Sequence, residues 1–537
     1  MRKHFYFQIS WEELQTKDID YLLSKVTLPS NSFPERFLVK REEMVLGGYF
    51  VSYFPKISLD KLANLLLENN GFHEVANLNA NFVIFLIDTR KKDFLILSDQ
   101  TGRFPCYVYE NSKGFVVSTS FRDVLGSIAK PSLDIEGALE FILGDTSIRK
   151  ATIIKNLWLL PPGMLARFKN GKCEIISLFR NEKIIESKKT FESKEEFIDW
   201  FIFTLEESVK DRLKALKNEH LVCADISSGF DSSLICYLLS KNHKGELMCY
   251  SEISKFAYGD TDPAIVLDFA KKHGLKVKFF EYDEIFPFST KEDLNFILQE
   301  GPSYIQKSQV DAFFKFIKKD GINVRFNGEG GDEAYWSTRK SLRLKVKFPI
   351  HTSYFRYQSM AQEGVGGMLT DKALGILLDR GRFRKKVPYA SVIPQSATYL
   401  SVIMFPFVWE ANVWPISPFV DTRVIEVTSM VPFDTIKDVS KRDLLKRRRD
   451  IFVDSQFKEK VGTEEHYGRF LTDKKDFILN LLENSLLGEK GYIFRDRIIN
   501  DLKEDREGRY LEDNNLRYIT NLLELEYFLQ QRGIEVA

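Results

Sequence analysis

Net charge is nearly absent from this chain. It carries 77 lysines and arginines against 76 aspartates and glutamates, leaving +1. That removes the global electrostatic case for nucleic acid or an anionic membrane as partner. Cysteine is scarce and unpatterned: Cys106, Cys173, Cys223, Cys236 and Cys249, an odd number with no CxxC pair. This argues against a disulfide framework or a zinc site and fits a reducing cytoplasm. Long apolar runs are missing too. No stretch reaches the ~18 uncharged apolar residues of a membrane span. The longest, Ser401–Val408, is interrupted by Pro406 and reads as core. The opening MRKHFYFQISWEEL has no uninterrupted apolar segment, so no signal peptide is expected and a cytoplasmic location is. There is no internal repeat and no low-complexity tract.

What is present is an ordinary folded composition, 44% hydrophobic and 28% charged. At 537 residues it is too long for one core, so at least two domains are expected. The 45 phenylalanines predict a large aromatic core. Residues 1 to about 185 read as mostly β. Asn81–Asp88 and Phe94–Asp99 are one strand pair around a charged turn. Cys106–Glu110 and Phe115–Ser120 are a second, around Asn111–Gly114. A helix is predicted over Leu133–Asp145, ending near Gly144, then a further strand pair within 156–179 with Asn170-Gly171 as its hairpin. The charged stretch 186–200 marks a linker and the start of a helix. From there to Asp332 strands and helices alternate, which predicts a parallel sheet with ligands at the carboxyl ends of its strands. The remainder reads as helical.

Two stretches carry the chemistry. In Cys223–Ser233, CADISSGFDSS, an apolar strand runs into a serine- and glycine-containing turn and then a helix. Backbone N–H groups, the hydroxyls of Ser227, Ser228, Ser232 and Ser233 and the positive helix end would converge on an anion, most naturally nucleotide phosphates. Alone, the same letters also describe a serine-rich β-turn. Asp231 repels phosphate unless a divalent cation lies between them. The second stretch, Asn327–Glu333, reads NGEGGDE and ends the fourth predicted strand, so both loops fall on one sheet edge. Its glycines allow close backbone approach. Glu329, Asp332 and Glu333 supply further carboxylates, and with Asp231 they would hold Mg²⁺ against phosphates.

Together these stretches resemble the paired signatures of the asparagine-synthetase ATP-pyrophosphatase domain, Ser-Gly-Gly-x-Asp-Ser-Ser and Gly-Glu-Gly-Gly-Asp-Glu. Ser228 stands where that family usually has glycine; Gly328–Glu333 matches throughout. Upstream, Asp99, Gly102, Pro105 and Tyr107 fall on the Asp-x-x-Gly-x-x-Pro-Leu-Tyr turn of the family's glutamine-amidohydrolase domain. The resemblance implies a mostly-β amidotransferase-like (Ntn-type α+β) domain over 1–187. It implies a doubly wound, parallel-sheet α/β synthetase domain with a helical C-terminal part over 188–537. Met1-Arg2 replaces the family's N-terminal cysteine, which implies that glutamine hydrolysis is lost. A GxxxxGK[ST] loop is absent, which fits ATP cleaved between its α and β phosphates.

The implied reaction is adenylation of a carboxylate with release of pyrophosphate, then capture by an amine. ATP and Mg²⁺ are the implied cofactors. Ser227, Ser228, Gly229, Asp231, Ser232, Ser233, Gly328 and Gly330 would bind ATP, and Asp231 and Asp332 the Mg²⁺. Glu329 and Glu333 would shape the site or assist the amine. Ser440–Asp450 resembles the family's Lys-x-x-Leu-Arg helix and Lys458–Gly462 its Arg-x-Lys-x-Gly turn, which makes Lys460 the candidate for stabilising the leaving phosphates. Three enzyme branches compete: asparagine synthetase, β-lactam synthetase and lasso-peptide cyclase (macrolactam synthetase). The basic, aromatic segment Arg343–Tyr389 and the C-terminal helix look most like the cyclase. In that branch the substrate is a precursor peptide and a leader peptidase is the expected partner; otherwise a small-molecule carboxylate is used. A non-catalytic ATP- or peptide-binding scaffold is the alternative of another class.

Overall fold

The computed structural model describes the chain except residues 1–3, 32, 69–70, 145–151, 179–190, 255–261, 304–306, 337–366, 379–392, 431–440, 458–463, 505–512 and 537. Its first part is two antiparallel sheets packed face to face. They are built from β1 (Tyr6–Ser10), β2 (Val26–Thr27), β3 (Arg36–Arg41), β4 (Met44–Phe54), β5 (Asn79–Asp88), β6 (Asp93–Ser98), β7 (Tyr107–Glu110), β8 (Gly114–Ser118), β9 (Leu157–Leu159), β10 (Met164–Lys169) and β11 (Lys172–Ser177). One sheet has the order β2-β1-β8-β7-β9, the other β11-β10-β6-β5-β4-β3. Phenylalanines fill the space between them: Phe7 stacks on Phe94 at 4.4 Å and Phe115 on Phe168 at 4.1 Å. Such pairs add roughly 0.5–1.5 kcal/mol each beyond their buried area.

The expected strand pairs β5–β6 and β7–β8 are present. The Asn170-Gly171 hairpin joins β10 to β11, with φ of 51° and 75°, the left-handed values that an Asn-Gly turn accommodates. One expectation is corrected. Leu157–Leu159 does not join that hairpin but pairs with β7 in the other sheet, because Pro161 and Pro162 break the strand between. The Ser401–Val408 run is core and lies in a helix, as expected: helix Gln395–Ala411 carries Pro406 in its interior.

Helix Lys194–Ala215, N-capped by Ser193, leads into a parallel sheet of β12 (Val222–Asp225), β13 (Met248–Ile253), β14 (Lys276–Glu281), β15 (Val324–Phe326) and β16 (Trp414–Ile416). The order β14-β13-β12-β15-β16 puts β12 at the centre. The chain first winds outward through β13 and β14, then returns to the other side of β12. Where the winding reverses, the loops after adjacent strands part and leave a crevice at the carboxyl ends. The loops after β12 and β15 flank that point.

The two parts share their cores. The final helix, Asp513–Arg532, lies over helix Ile135–Ile142, with Leu139 and Ile142 in one cluster with Leu522 and Leu525. Asn521 Nδ2 donates to the carbonyls of Phe141 and Ile142, 2.9 and 3.3 Å away, closing the end of the shorter helix. A second tie is Asp421, fully buried, which accepts from Arg212 at 2.9 Å and Arg423 at 2.8 Å. Arg212 in turn lies over the Tyr53 ring of β4.

Burial pushes the Asp421 carboxyl up, but Arg212 and Arg423 outweigh it and hold it at about 2. A depressed carboxyl stabilises the fold above its unfolded value of about 3.9, and that contribution fades as pH falls toward 2. Asp421→Asn should cost about 3–5 kcal/mol at neutral pH by leaving Arg212 buried without its counter-charge. A lower urea midpoint checks this, together with a smaller stability loss between about pH 4 and 2. An unchanged midpoint would remove this cluster from the tie between the two parts.

Candidate functional site

Four residues separate the end of β12 from its helix, Phe230–Asn242. The turn is held by its own serines. Ser227 N–H donates to Ser232 Oγ at 3.1 Å, the two hydroxyls lie 2.7 Å apart, and Gly229 N–H donates to Ser227 Oγ at 3.1 Å. Ser233 is completely buried and turned inward, donating to the carbonyls of Gly229 (2.8 Å) and Ser227 (3.2 Å). It braces the turn from below rather than facing outward as the reading of four convergent hydroxyls expected. Gln456 Nε2 donates to Ser233 Oγ at 2.9 Å, so the segment that runs into Lys458–Gly462 touches the turn. Gly229 occupies the N-cap with no side chain bonded across the helix end. The first N–H groups of that helix have no intrahelical acceptor, the arrangement that receives an anion.

The loop after β15 closes against this turn. β12 and β15 are hydrogen-bonded neighbours, with Ala224 opposite Phe326. A Cβ on Gly328 would stand 2.8 Å from the Ser232 nitrogen, and one on Gly331 would stand 2.4 Å from Asp231 Cγ. These two glycines let the loops pack with the Asp231 carboxylate lodged between them. Gly330 has a φ of +83° and turns the chain beside Pro394 and Val420. Asp332 and Glu333 follow in the first turn of helix Gly331–Trp336, with Asp332 exposed.

Glu329 has gone elsewhere. Its carboxylate accepts from Arg103 Nη1 at 3.3 Å and from Ser417 Oγ at 3.2 Å. Arg103, buried in the Gly102–Pro105 turn of the β sandwich, also donates to Ser401 Oγ at 2.7 Å and to Ser417 Oγ. Asn327 completes the clasp: its N–H donates to the Ile416 carbonyl at 3.0 Å, and its side-chain oxygen accepts from Ser417. Lys460 and most of Arg343–Tyr389 lie outside the described residues.

Sequence reasoning missed Arg103, Ser417 and Gln456, and gave no role to Asn327, although it opens the NGEGGDE stretch. It also missed a buried pair on the strands themselves. Arg325 on β15 grips Asp225 on β12 through two bonds of 2.6 and 2.5 Å and lies over the rings of Phe313 and Phe314. This two-pronged contact fixes the spacing of the two strands that carry the loops.

The residues present fit a nucleotide triphosphate with Mg²⁺. The uncapped helix end, the serine-bonded turn and a carboxylate wedged beside it lie together, in a packing so close that side chains at 328 and 331 would strike Ser232 and Asp231. Among the described residues no three His, Cys, Asp or Glu side chains cluster to hold a metal. A cation here would take one or two carboxylates and otherwise phosphate and water, which is the habit of Mg²⁺.

The fold is therefore of the α/β class, with the two loops at the switch point of a parallel sheet. Residues 203–388, about a third of the chain, match the family model for asparagine synthase. That stretch contains both loops and supports an asparagine synthetase-like, ATP-using and amide-forming ligase in general. No curated protein matches the chain. Among solved structures it is similar to the U34-tRNA thiolase NcsA of Methanococcus maripaludis, at 14% identity and a TM-score of 0.24, covering 57% of this chain and 80% of that one. It is also similar to an allosteric regulatory enzyme of purine biosynthesis, at 10% identity and a TM-score of 0.19, covering 47% and 63%. A third is the glutamine phosphoribosylpyrophosphate amidotransferase of B. subtilis, complexed with ADP and GMP, at 10% identity and a TM-score of 0.18, covering 46% and 48%. Likeness at these scores carries no argument. No helix among the described residues is long and apolar enough to cross a membrane.

Proposed function

We propose that the chain is an AMP-forming ligase that joins an amine to a carboxylate it has first adenylated, and that its reaction closes a macrolactam ring in a peptide. The observation that carries the ligase reading is the packing of Asp231 against Gly328 and Gly331, on the ends of neighbouring parallel strands. That packing brings the serine-bonded turn and the Asp231 carboxylate to one point, which supports a phosphate and a cation binding there. Ser227, Ser228 and Ser232 with the helix end would orient the departing pyrophosphate, while Ser233 and Gln456 hold the turn in shape. Asp231 and Asp332 would hold Mg²⁺, which neutralises phosphate charge when bound. The substrate carboxylate attacks the α-phosphorus, and pyrophosphate leaves. The amine then attacks the acyl carbon, loses its proton and releases AMP. Lys460 is assigned to the charge on the departing phosphates, and Glu333 to the approach of the amine. Glu329 has a different part in this reading: it fastens the loop to Arg103.

The macrolactam step rests on the resemblances and on the basic and aromatic character of Arg343–Tyr389. In this reading 1–187 is the degenerate amidotransferase-like domain and 188–537 the synthetase domain. The test is incubation of the protein with ATP, Mg²⁺ and linear peptides carrying a free N-terminal amine and an internal Asp or Glu. Loss of one water from the peptide with equimolar AMP and pyrophosphate is the expected result. Pyrophosphate release driven by a small carboxylate and ammonia instead would replace the cyclase by a synthetase of small molecules. No pyrophosphate with any substrate would leave a binding scaffold.

The glycine packing gives its own prediction. Gly331→Ala places a methyl group 2.4 Å from Asp231 Cγ, so either the loop or Asp231 must move. Pyrophosphate release should fall at least about 100-fold, as expected for an ångström-scale misplacement of a positioned group. Thermal stability should change far less than activity. Equal activity in Gly331→Ala would show that the two loops need not meet.

A further inference from the structure

A cavity of about 200 Å³ lies away from the two loops, between the sandwich and helix Gln395–Ala411. It has room for about six or seven waters or one small organic molecule. Phe121, Phe141, Ile153, Ile403 and Phe407 give it an apolar wall. Polar side chains break that wall, among them Thr119, Glu140, Thr152, Glu300, Ser303 and Lys307, and three of these matter here: Thr119, Glu300 and Ser303. Thr119 is 1% exposed and Ser303 6%, and the Glu300 side chain is 9% exposed. The hydroxyls of Thr119 and Ser303 and Oε2 of Glu300 have no hydrogen-bond partner among the described residues.

The neighbouring charges are already spoken for. Lys307 donates to Glu524 at 2.7 Å, and Glu524 also accepts the Ser303 N–H at 2.8 Å. Arg122 stands 3.4 Å from Oε1 of Glu300, on the side away from the unpaired oxygen. Buried polar groups without partners cost about 1–3 kcal/mol each, so three together in one apolar cavity call for an occupant that satisfies them. A carboxylate oxygen needs a donor, and hydroxyls take either role. An ammonium brings three donors and a positive charge to that oxygen, and the aromatic wall suits an apolar body behind it.

We propose that this cavity is a binding site for a small primary amine with an apolar body, held by Glu300, Thr119 and Ser303. It is separate from the two loops and does not depend on the ligase reading. Burial pushes the Glu300 carboxyl up to about 7, with Arg122 and Lys307 opposing and Glu410 and Asp123 adding to the rise. An ammonium pairs with the ionised form, so affinity should increase as pH climbs from about 6 to 8.

Titration calorimetry on the full chain with 2-phenylethylamine tests the proposal, with 2-phenylethanol as the uncharged molecule of the same shape. Saturable binding of the amine is expected, at least about tenfold tighter than the alcohol. Glu300→Gln should weaken it about ten- to a hundredfold. Ser303→Ala removes only an unpaired hydroxyl, leaves the bond from its backbone to Glu524, and should weaken binding about two- to tenfold. It keeps the question answerable if Glu300→Gln does not fold. Absence of saturable binding, equal affinity for amine and alcohol, or a wild-type affinity in Ser303→Ala together with Glu300→Gln would overturn the assignment and leave a cavity for water.

Discussion

Asp231→Ala should abolish ATP-dependent pyrophosphate release and leave the protein folded. The two halves of that expectation have separate causes. Position 231 is in the first turn of helix Phe230–Asn242 and only partly buried, and alanine is the strongest helix former. The fold therefore has little to lose. In the proposed reaction, by contrast, Asp231 is one of only two protein carboxylates assigned to the cation. Without it, the cation keeps only Asp332, and more of the negative charge on the departing pyrophosphate falls to Lys460, the helix amides and the hydroxyls. Electrostatic groups of this kind are worth about 10²–10³ in rate when removed singly, and a metal ligand should lie at or beyond the upper end. Pyrophosphate release, thermal melting and circular dichroism on the same sample separate the two halves. A variant that melts like the wild type and releases pyrophosphate at the wild-type rate would end the metal assignment and with it the argument for why a carboxylate sits beside phosphates at all.

Much of this site was legible before the fold because its signals are local. An apolar run into Ser-Ser-Gly and then a helix can be read in a dozen letters, and β12, its turn and Phe230–Asn242 form where expected. The same holds for INVRF and the glycine loop after it. That both loops fall on one sheet edge followed from alternation of strand and helix, and the structure makes β12 and β15 direct neighbours. What was not legible depends on partners far along the chain or on phase. Ser232 and Ser233 differ by one position, about 100° around a helix, and that rotation alone sends one hydroxyl into the turn's network and the other beneath it. β16 is three residues, one of them Pro415, too short for a strand pattern, yet it closes the sheet edge and carries Ser417 just beyond it. β4 was missed for a related reason: Gly47-Gly48 interrupts its alternation, although almost all of its residues are buried between neighbours. Glu329 is the case with the largest consequence. Its place in a carboxylate-rich loop suggests chemistry with the substrate; an arginine 226 residues earlier takes its charge instead.

That arginine gives the second large expectation. Arg103→Ala should destabilise the chain by about 3–5 kcal/mol, because it leaves a carboxylate only 12% exposed without its paired cation. Pyrophosphate release per folded molecule should drop as well, since Asn327, Glu329 and Ser417 hold the base of the glycine loop through the same clasp. Loss of stability alone does not separate a clasp from ordinary buried packing, so the decisive measurement is a cycle with Glu329→Gln. Glutamine keeps the shape and removes the charge that Arg103 answers. If the clasp is what Arg103 does, the double variant should recover about 1–3 kcal/mol relative to the sum of the single changes, the range found for residues in one network. Its pyrophosphate release should exceed that of Arg103→Ala alone. Additive losses would place the value of Arg103 in its bonds to Ser401 and Ser417. A coupling in stability without one in activity would make the sandwich a brace for the fold only. Coupling in both would mean that the first part of the chain sets the geometry of the loop on which the proposed chemistry depends, and so has a function that does not require a glutaminase of its own.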